Sequence, residues 1–287
     1  MKSITLQSPT GKTALFQMAS CYSELNEKQL QSISFLYKNH IAKLSQQDKE
    51  AMKIALLPYM LTPQPALELV LNIPAATWVD IYPHLEWIFE TPRFNKWPST
   101  FLDKLHKDLH APVEMLRTSS ILEMTTMDDA FVIASKEKDF TKVYEIIACL
   151  FRPMRKDIHT FKKSAEWNGD VREPFNQYTV KERAQKLQRT VSKITATSVY
   201  LYAKSFHDVQ LVEKFQNLFP VDEQKEEGAP EVVRVGNNYG WPGVILEMSN
   251  TKFGDLEKTK AMNWYTVLFE MSRQVDIAKQ RIENSRK

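Results

Sequence analysis

The chain has 287 residues, 43% of them apolar and 25% charged, which is enough apolar material for a substantial core. Only 7 residues are Gly, about a third of the usual share of roughly 7%. Gly supplies the positive-φ positions of tight turns and phosphate-cradling loops. The composition therefore argues against a Rossmann fold, a β-barrel or a propeller, and it points to helices. Lys and Arg total 38 against 35 Asp and Glu, and this net charge of +3 does not by itself announce a nucleic-acid binder.

Cys21 and Cys149 make no disulfide framework and no metal cluster. Cys149 lies in the apolar run Ile146 to Phe151 and reads as a small buried hydrophobe. Residues 1–9 hold no apolar core of a signal segment, and no apolar run reaches the ~18 residues of a membrane span. These features predict a soluble protein in a reducing cytoplasm, with no membrane partner.

Residues 3–18 read as a hairpin. Ile4 and Leu6 alternate, Pro9-Thr10-Gly11 supplies a turn, and Ala14 and Phe16 alternate again. Such a hairpin needs a surface to dock on, either its own body or a neighbouring chain. It forms an arm over 1–22, ahead of a helical layer over 23–110.

In that layer Asn26 can cap a helix through Leu30, Ile33, Tyr37, Ile41 and Leu44. Ser45 with Asp48 opens a second helix that should end at Pro58. Thr62-Pro63 begins a third over Ala66 to Leu71, and Pro74 a fourth over Ala75 to Ile81. Pro83 punctuates before His84 to Phe89. The pattern weakens between Thr91 and Ala111, a connector containing Phe94, Trp97 and Phe101.

The C-terminal region, 111–287, is helical again. One or two helices occupy 113–134, and Phe140, Val143, Ile147, Leu150 and Met154 mark another. Thr179 to Glu182 has the form of a capping box opening one long helix through Leu187, Val191, Ile194 and Leu201. Asp208 caps a helix that ends at Pro220. Residues 221–241 form an acidic, exposed loop with a short strand over Val232 to Val235. Pro242 starts a brief helix, and Asp255 caps the last and longest one.

In that last helix Ala261, Trp264, Leu268, Met271, Val275, Ala278 and Ile282 are spaced 3-4-3-4-3-4. The stripe suits a seam within the chain's own body or an intermolecular coiled coil. The predicted fold class is all-α, a multi-helix, bundle-like body with a short N-terminal β-hairpin arm.

Candidate chemistry is sparse. Gly11-Lys12-Thr13 has Leu6 where a phosphate-binding loop needs its first glycine, so a turn is the better reading. His106, His110 and Glu114 would share one face of a continuous helix, a zinc-like spacing that Pro112 interrupts. No nucleophile elbow exists, and no pair of carboxylates stands out as acid and base. The expectation is a non-enzymatic protein with no cofactor.

Charge is more informative. Residues 152–193 carry eleven Lys and Arg against five acids, a net of +6, leaving −3 for the rest. Arg152, Arg155, His159 and Lys162 recur at helical spacing. With Lys163 they suit a phosphate-contacting face, an acidic partner or a plain solvated surface. The acidic run 222–227 could be the complementary surface, on this chain or on a neighbour.

From about residue 111 a series of short blocks stands in order: Ala148 to Pro153, Gly169 to Phe175, Asn217 to Pro220, Tyr239 to Trp241, and Phe253-Gly254. In this order the chain resembles structural or tail-assembly proteins of tailed bacteriophages, especially those of Bacteroides-type hosts. Cys149 stands where the resemblance leads one to expect another small apolar residue. The resemblance implies contacts with other phage structural proteins in the virion tail or neck, or in the host cytoplasm during assembly. A homo-oligomer and nucleic acid are further partners in view. The implied partner-binding residues are Arg152, Arg155, Lys162, Lys163, Trp241 and Trp264. Asp170, Arg172 and Glu173 would order their loop through charge-assisted bonds, and Trp241 would wedge between helices.

Overall fold

A computed structural model describes residues 1–7, 11, 13–37, 45–65, 70, 72–94, 108–219 and 240–285. Ile41, Leu44, the helix expected over 66–71 (apart from Val70), most of the connector, His106 and nearly all of the acidic loop lie outside these residues. Within them the protein is mostly helical, with a small antiparallel sheet at the N-terminus.

The sheet is built as the alternation dictates. Strands β1 (Lys2–Gln7) and β2 (Thr13–Met18) pair from Lys2↔Met18 to Gln7↔Thr13, with Gly11 at φ 83 in the connection. Ile4, Leu6, Phe16 and Met18 face inward. They join one apolar cluster with Leu30 and Ile33 of α1 (Glu27–Tyr37) and Leu56, Leu57 and Met60 of α2 (Gln46–Met60). The hairpin thus docks on its own body.

Asn26 and Gln29 exchange side-chain bonds with each other's amides at the start of α1. Ser45 and Asp48 do the same for α2. Helix α2 runs past Pro58, in a correction to the expected stop, and ends two residues later in strand β3 (Leu61–Thr62). A proline so near the end removes a single helical bond, to Ile54, whose side chain is exposed. Thr62 is therefore a strand residue, paired with Gln17 across β2. Helix α3 (Ala75–Ile81) follows Pro74, and a 3-10 segment, Tyr82–Phe89, follows it directly. The Tyr22 and Tyr37 hydroxyls both donate to the Ile88 carbonyl, at 2.5 and 2.9 Å.

The second half begins with the two-residue strand β4 (Leu109–His110). Helix α4 (Ile121–Glu137) is capped by Ser120 and closed by Lys138 at φ 57. Helix α5 (Thr141–Leu150) stops sooner than the apolar spacing suggested. Arg152 and Pro153 leave it as strand β5 (Arg152–Pro153), paired with β4. Helix α6 (Ile158–Phe161) is a single turn, so Arg152, Arg155, His159 and Lys162 do not share a helix face.

The expected long helix from Thr179 is two helices, α7 (Val180–Thr190) and α8 (Lys193–Ser205). Ser192 interrupts it, accepting from the Thr195 amide at 3.2 Å. Thr179 is not a capping residue. It is already helical in backbone, and its hydroxyl donates back to the Asn176 carbonyl at 2.9 Å. Glu182 is turned to Lys186 at 2.7 Å.

The chain then continues as a π-helix, Phe206–Glu213, in place of a new helix capped by Asp208. Helix α9 (Gly240–Met248) is followed by a second π segment, Ser249–Phe253. Asp255 caps only the short α10 (Leu256–Ala261), and the long terminal helix α11 (Trp264–Ser285) starts afresh.

Helix α8 joins two apolar clusters. Leu201 and Tyr202 belong to the cluster of residues 4–94, whereas Val199, Tyr200, Ala203 and Phe206 belong to the cluster built from 116–271. Polar links follow the first face. Ser198 bonds Ser34 at 2.8 Å, the Tyr202 hydroxyl accepts from the Met115 amide at 3.0 Å, and the Ser205 hydroxyl accepts from the Phe94 amide at 3.0 Å. Residues 198, 202 and 205 are spaced to share one helix face.

Candidate protein-contact site

Part of the basic region is turned inward: of its eleven Lys and Arg, Arg152 and Arg172 are buried, Arg155 and Arg183 are half-buried and the other seven are exposed. Glu123 of α4, only 2% exposed, accepts from Arg152 through Oε2 and from Arg172 through Oε1, both at 2.8 Å. Arg172 also grips Asp170, with Nη2 to Oδ2 at 2.6 Å and Nε to Oδ1 at 2.9 Å. It donates further to the Leu150 carbonyl, and Arg152 donates to the Glu173 carbonyl. Two cations meet two anions, so the buried set is electrically closed.

Burial pushes the Asp170 carboxyl up, but the Arg172 guanidinium outweighs it and holds the group below the usual carboxylate range. Arg183 bonds the Ala148 carbonyl and Glu173, extending the same staple to α7. Cys149 beside it is fully buried, and that burial pushes its thiol well up.

The sequence-predicted residues fall into two groups. Arg152 and Trp264 are buried, a correction to their expected place at a partner surface, because both are spent on the chain's own core. Trp264 donates from Nε1 to the Leu116 carbonyl at 2.8 Å and stacks edge-on with Phe206. Trp241 is half-buried, donating to Asp128 at 3.0 Å and touching Phe219, which fits a wedge. Arg155 is held by Asp157 and lies over the Phe161 ring at 3.5 Å. Lys162 and Lys163 are exposed, beside exposed Lys156 and His159.

A second hub was invisible in the sequence. Asp128 of α4 accepts from Trp241 and pairs with His207 Nδ1 at 2.6 Å, joining α4, the first π-helix and α9. Wide turns of this kind let a helix accommodate an inserted residue and aim a side chain that a regular helix would misdirect. Gly11 and Thr13 belong to the hairpin, with no phosphate-binding helix behind them. His110 lies in β4 and Glu114 in a 3-10 turn, away from any shared helix. Among the described residues no group of three or more His, Cys, Asp or Glu could hold a metal. No helix among them is long and apolar enough to cross a membrane.

Exposed apolar side chains are scattered over the surface, and in two places they adjoin one another. On the N-terminal half, two adjoining cavities of about 620 and 660 Å³ share Ala55, Tyr59 and Gln64, with Phe35 and Ile54 half-exposed at their sides. On α11, Trp264, Val267, Leu268 and Met271 are buried, while Tyr265 and Phe269 stack outside, 6.3 Å apart. Beyond Met271 the helix has no buried residue. Asn217 holds its near side, bonding Ser272 and Asp276.

Comparison with protein-family models, curated proteins and solved structures finds no match.

Proposed function

We propose that this is a non-enzymatic structural or tail-assembly protein of a tailed bacteriophage, acting by protein contact in the virion tail or neck or during assembly in the host cytoplasm. The observation that carries the contact role is α11, a 22-residue helix whose side chains are buried only up to Met271 and held as far as Asp276, while its apolar stripe continues to exposed Ile282. Of the blocks that resemble phage proteins, the one with Asn217 ties α11 down, while Arg152, Asp170 and Arg172 close the buried charge set within the body. Charges consumed in this way favour a rigid mount over a catalytic centre.

Mass spectrometry of purified particles and of assembly intermediates tests the assignment. The chain is expected at a fixed ratio to the major structural proteins, and its absence from both would contradict it.

A nucleic-acid role has one observation in its favour, the exposed set Lys156, His159, Lys162 and Lys163 around α6. That reading expects salt-sensitive DNA binding, with a slope that falls by about one per lysine when Lys162 and Lys163 become Gln. The inward turn of Arg152, Arg172 and Arg183 makes it the weaker of the two.

A further inference from the structure

The last fourteen residues of α11, 272–285, extend about 21 Å at 1.5 Å per residue. A helix of this length is marginal in water without packing. Its sequence nevertheless keeps an apolar stripe of Val275, Ala278 and Ile282 in step with the buried Leu268 and Met271. Val275 is half-buried, Ala278 is exposed and Ile282 is 49% exposed. The stripe is therefore a seam filled by the body up to Met271, half-covered at Val275 and open at Ala278 and Ile282.

The residues beside the seam identify what fills it. In the heptad frame set by 268, 271, 275, 278 and 282, the flanking positions from 272 onward are Ser272, which bonds Asn217, and Gln274, Lys279 and Arg281. None is acidic. Asp276 and Glu283 lie one step further round, and Asp276 is turned to Asn217. A second copy of this helix would bring Lys279 and Arg281 against a flank of the same sign or a neutral one, whichever way it ran. Like charges across a seam disfavour that pairing, whereas carboxylates at the facing positions favour theirs.

We infer that residues 272–285 of α11 form one strand of a heterotypic coiled coil, whose partner is an amphipathic helix with Asp or Glu flanking its apolar seam. The inference rests on the protein-contact reading above and names the chemistry of the partner. Approach of the acidic flanks is steered by charge, and the seam then buries Val275, Ala278 and Ile282.

Fluorescence anisotropy with two labelled, designed peptides of about four heptads tests it, using the full chain. Both peptides carry Leu along the seam; one has Glu at the flanking positions and the other Lys. The Glu peptide is expected to bind at least about tenfold more tightly, with the preference shrinking as salt rises. Ile282→Asp should abolish binding. The double variant Lys279→Glu, Arg281→Glu should reverse the preference, and loss of folding could not produce that gain for the Lys peptide.

Equal binding of the two peptides, no binding of the Glu peptide, or an unreversed preference would overturn the inference. So would a dimer of the unliganded chain that Ile282→Asp dissociates, because the occupant would then be a second copy. Peptide failure with the chain still present in particles would sink the acidic partner alone. Absence from particles with peptide binding intact would sink the phage assignment alone.

Discussion

Arg172 shows how one side chain can set local structure over three segments. It is buried, and its guanidinium bonds Glu123, Asp170 and the Leu150 carbonyl. Arg172→Met should therefore strand Asp170 and leave Glu123 to Arg152 alone, at a cost of about 3–5 kcal/mol in urea unfolding. Lys162→Met on the exposed turn should leave the midpoint unchanged, and equal effects would contradict this account.

The same set predicts a pH dependence. The folded-state pKa of Asp170 lies below its unfolded value of about 3.9. Its stabilisation is thus complete above that value and lost as pH falls through the folded one. Glu24, held down to about 2 by the terminal ammonium and Ser20, adds in the same direction. Urea midpoints followed from pH 7 to 2 should fall mainly below pH ~4. Asp170→Asn should flatten that limb, and an unchanged slope would count against the pairing.

The sequence marked Asp170 and Arg172 as loop-ordering residues, but it gave no reason to single out their partner Glu123. A lone carboxylate in an amphipathic helix reads as solvated, and only the return of β5 and the 170–172 loop shows it to be buried. Arg152 misled for the same reason, since net charge along the chain does not reveal which cations are already paired.

At the scale of elements, caps were legible where the side chain acts on its own helix. Asn26 and Ser45 are such cases. Thr179 had the right spacing, but Asn176 already organises the turn, so the hydroxyl caps nothing. Ser192 does the capping further on, inside what looked like one continuous helix. Ser192→Ala should cost about 1 kcal/mol, and Thr179→Val no more than about 0.5 kcal/mol, by thermal or urea unfolding. The reverse order would restore the continuous-helix reading. The π segments left no trace in the spacing, because one extra residue per turn is absorbed by packing against α4 and α11. The α11 stripe was legible from Trp264 to Ile282, but Ala261 ends the separate α10, Val267 also turns inward, and the division into a buried first part and an open last part was not legible.

The whole molecule turns on α8. Nine of its thirteen residues are buried, so it lacks the two-faced pattern that marks a surface helix. That uniformity hid its role from the sequence, which offered two successive helical regions without saying what joined them. Because α8 contributes Leu201 and Tyr202 to one cluster and Val199 and Tyr200 to the other, neither half keeps its core without it. Far-UV circular dichroism and tryptophan fluorescence should therefore report coincident unfolding, with Trp78 and Trp87 reading one half and Trp241 and Trp264 the other. Separate transitions would contradict a shared helix.

A body unified in this way is a firm mount for a helix whose last two turns, 278–285, are exposed. By the inference drawn above, this helix meets a different protein. Lysine- and carboxyl-reactive crosslinking, read by mass spectrometry on particles or assembly intermediates, tests it most directly. Links are expected from Lys279 to an acidic helical segment of another chain. Links from Lys279 confined to copies of this same chain would contradict it.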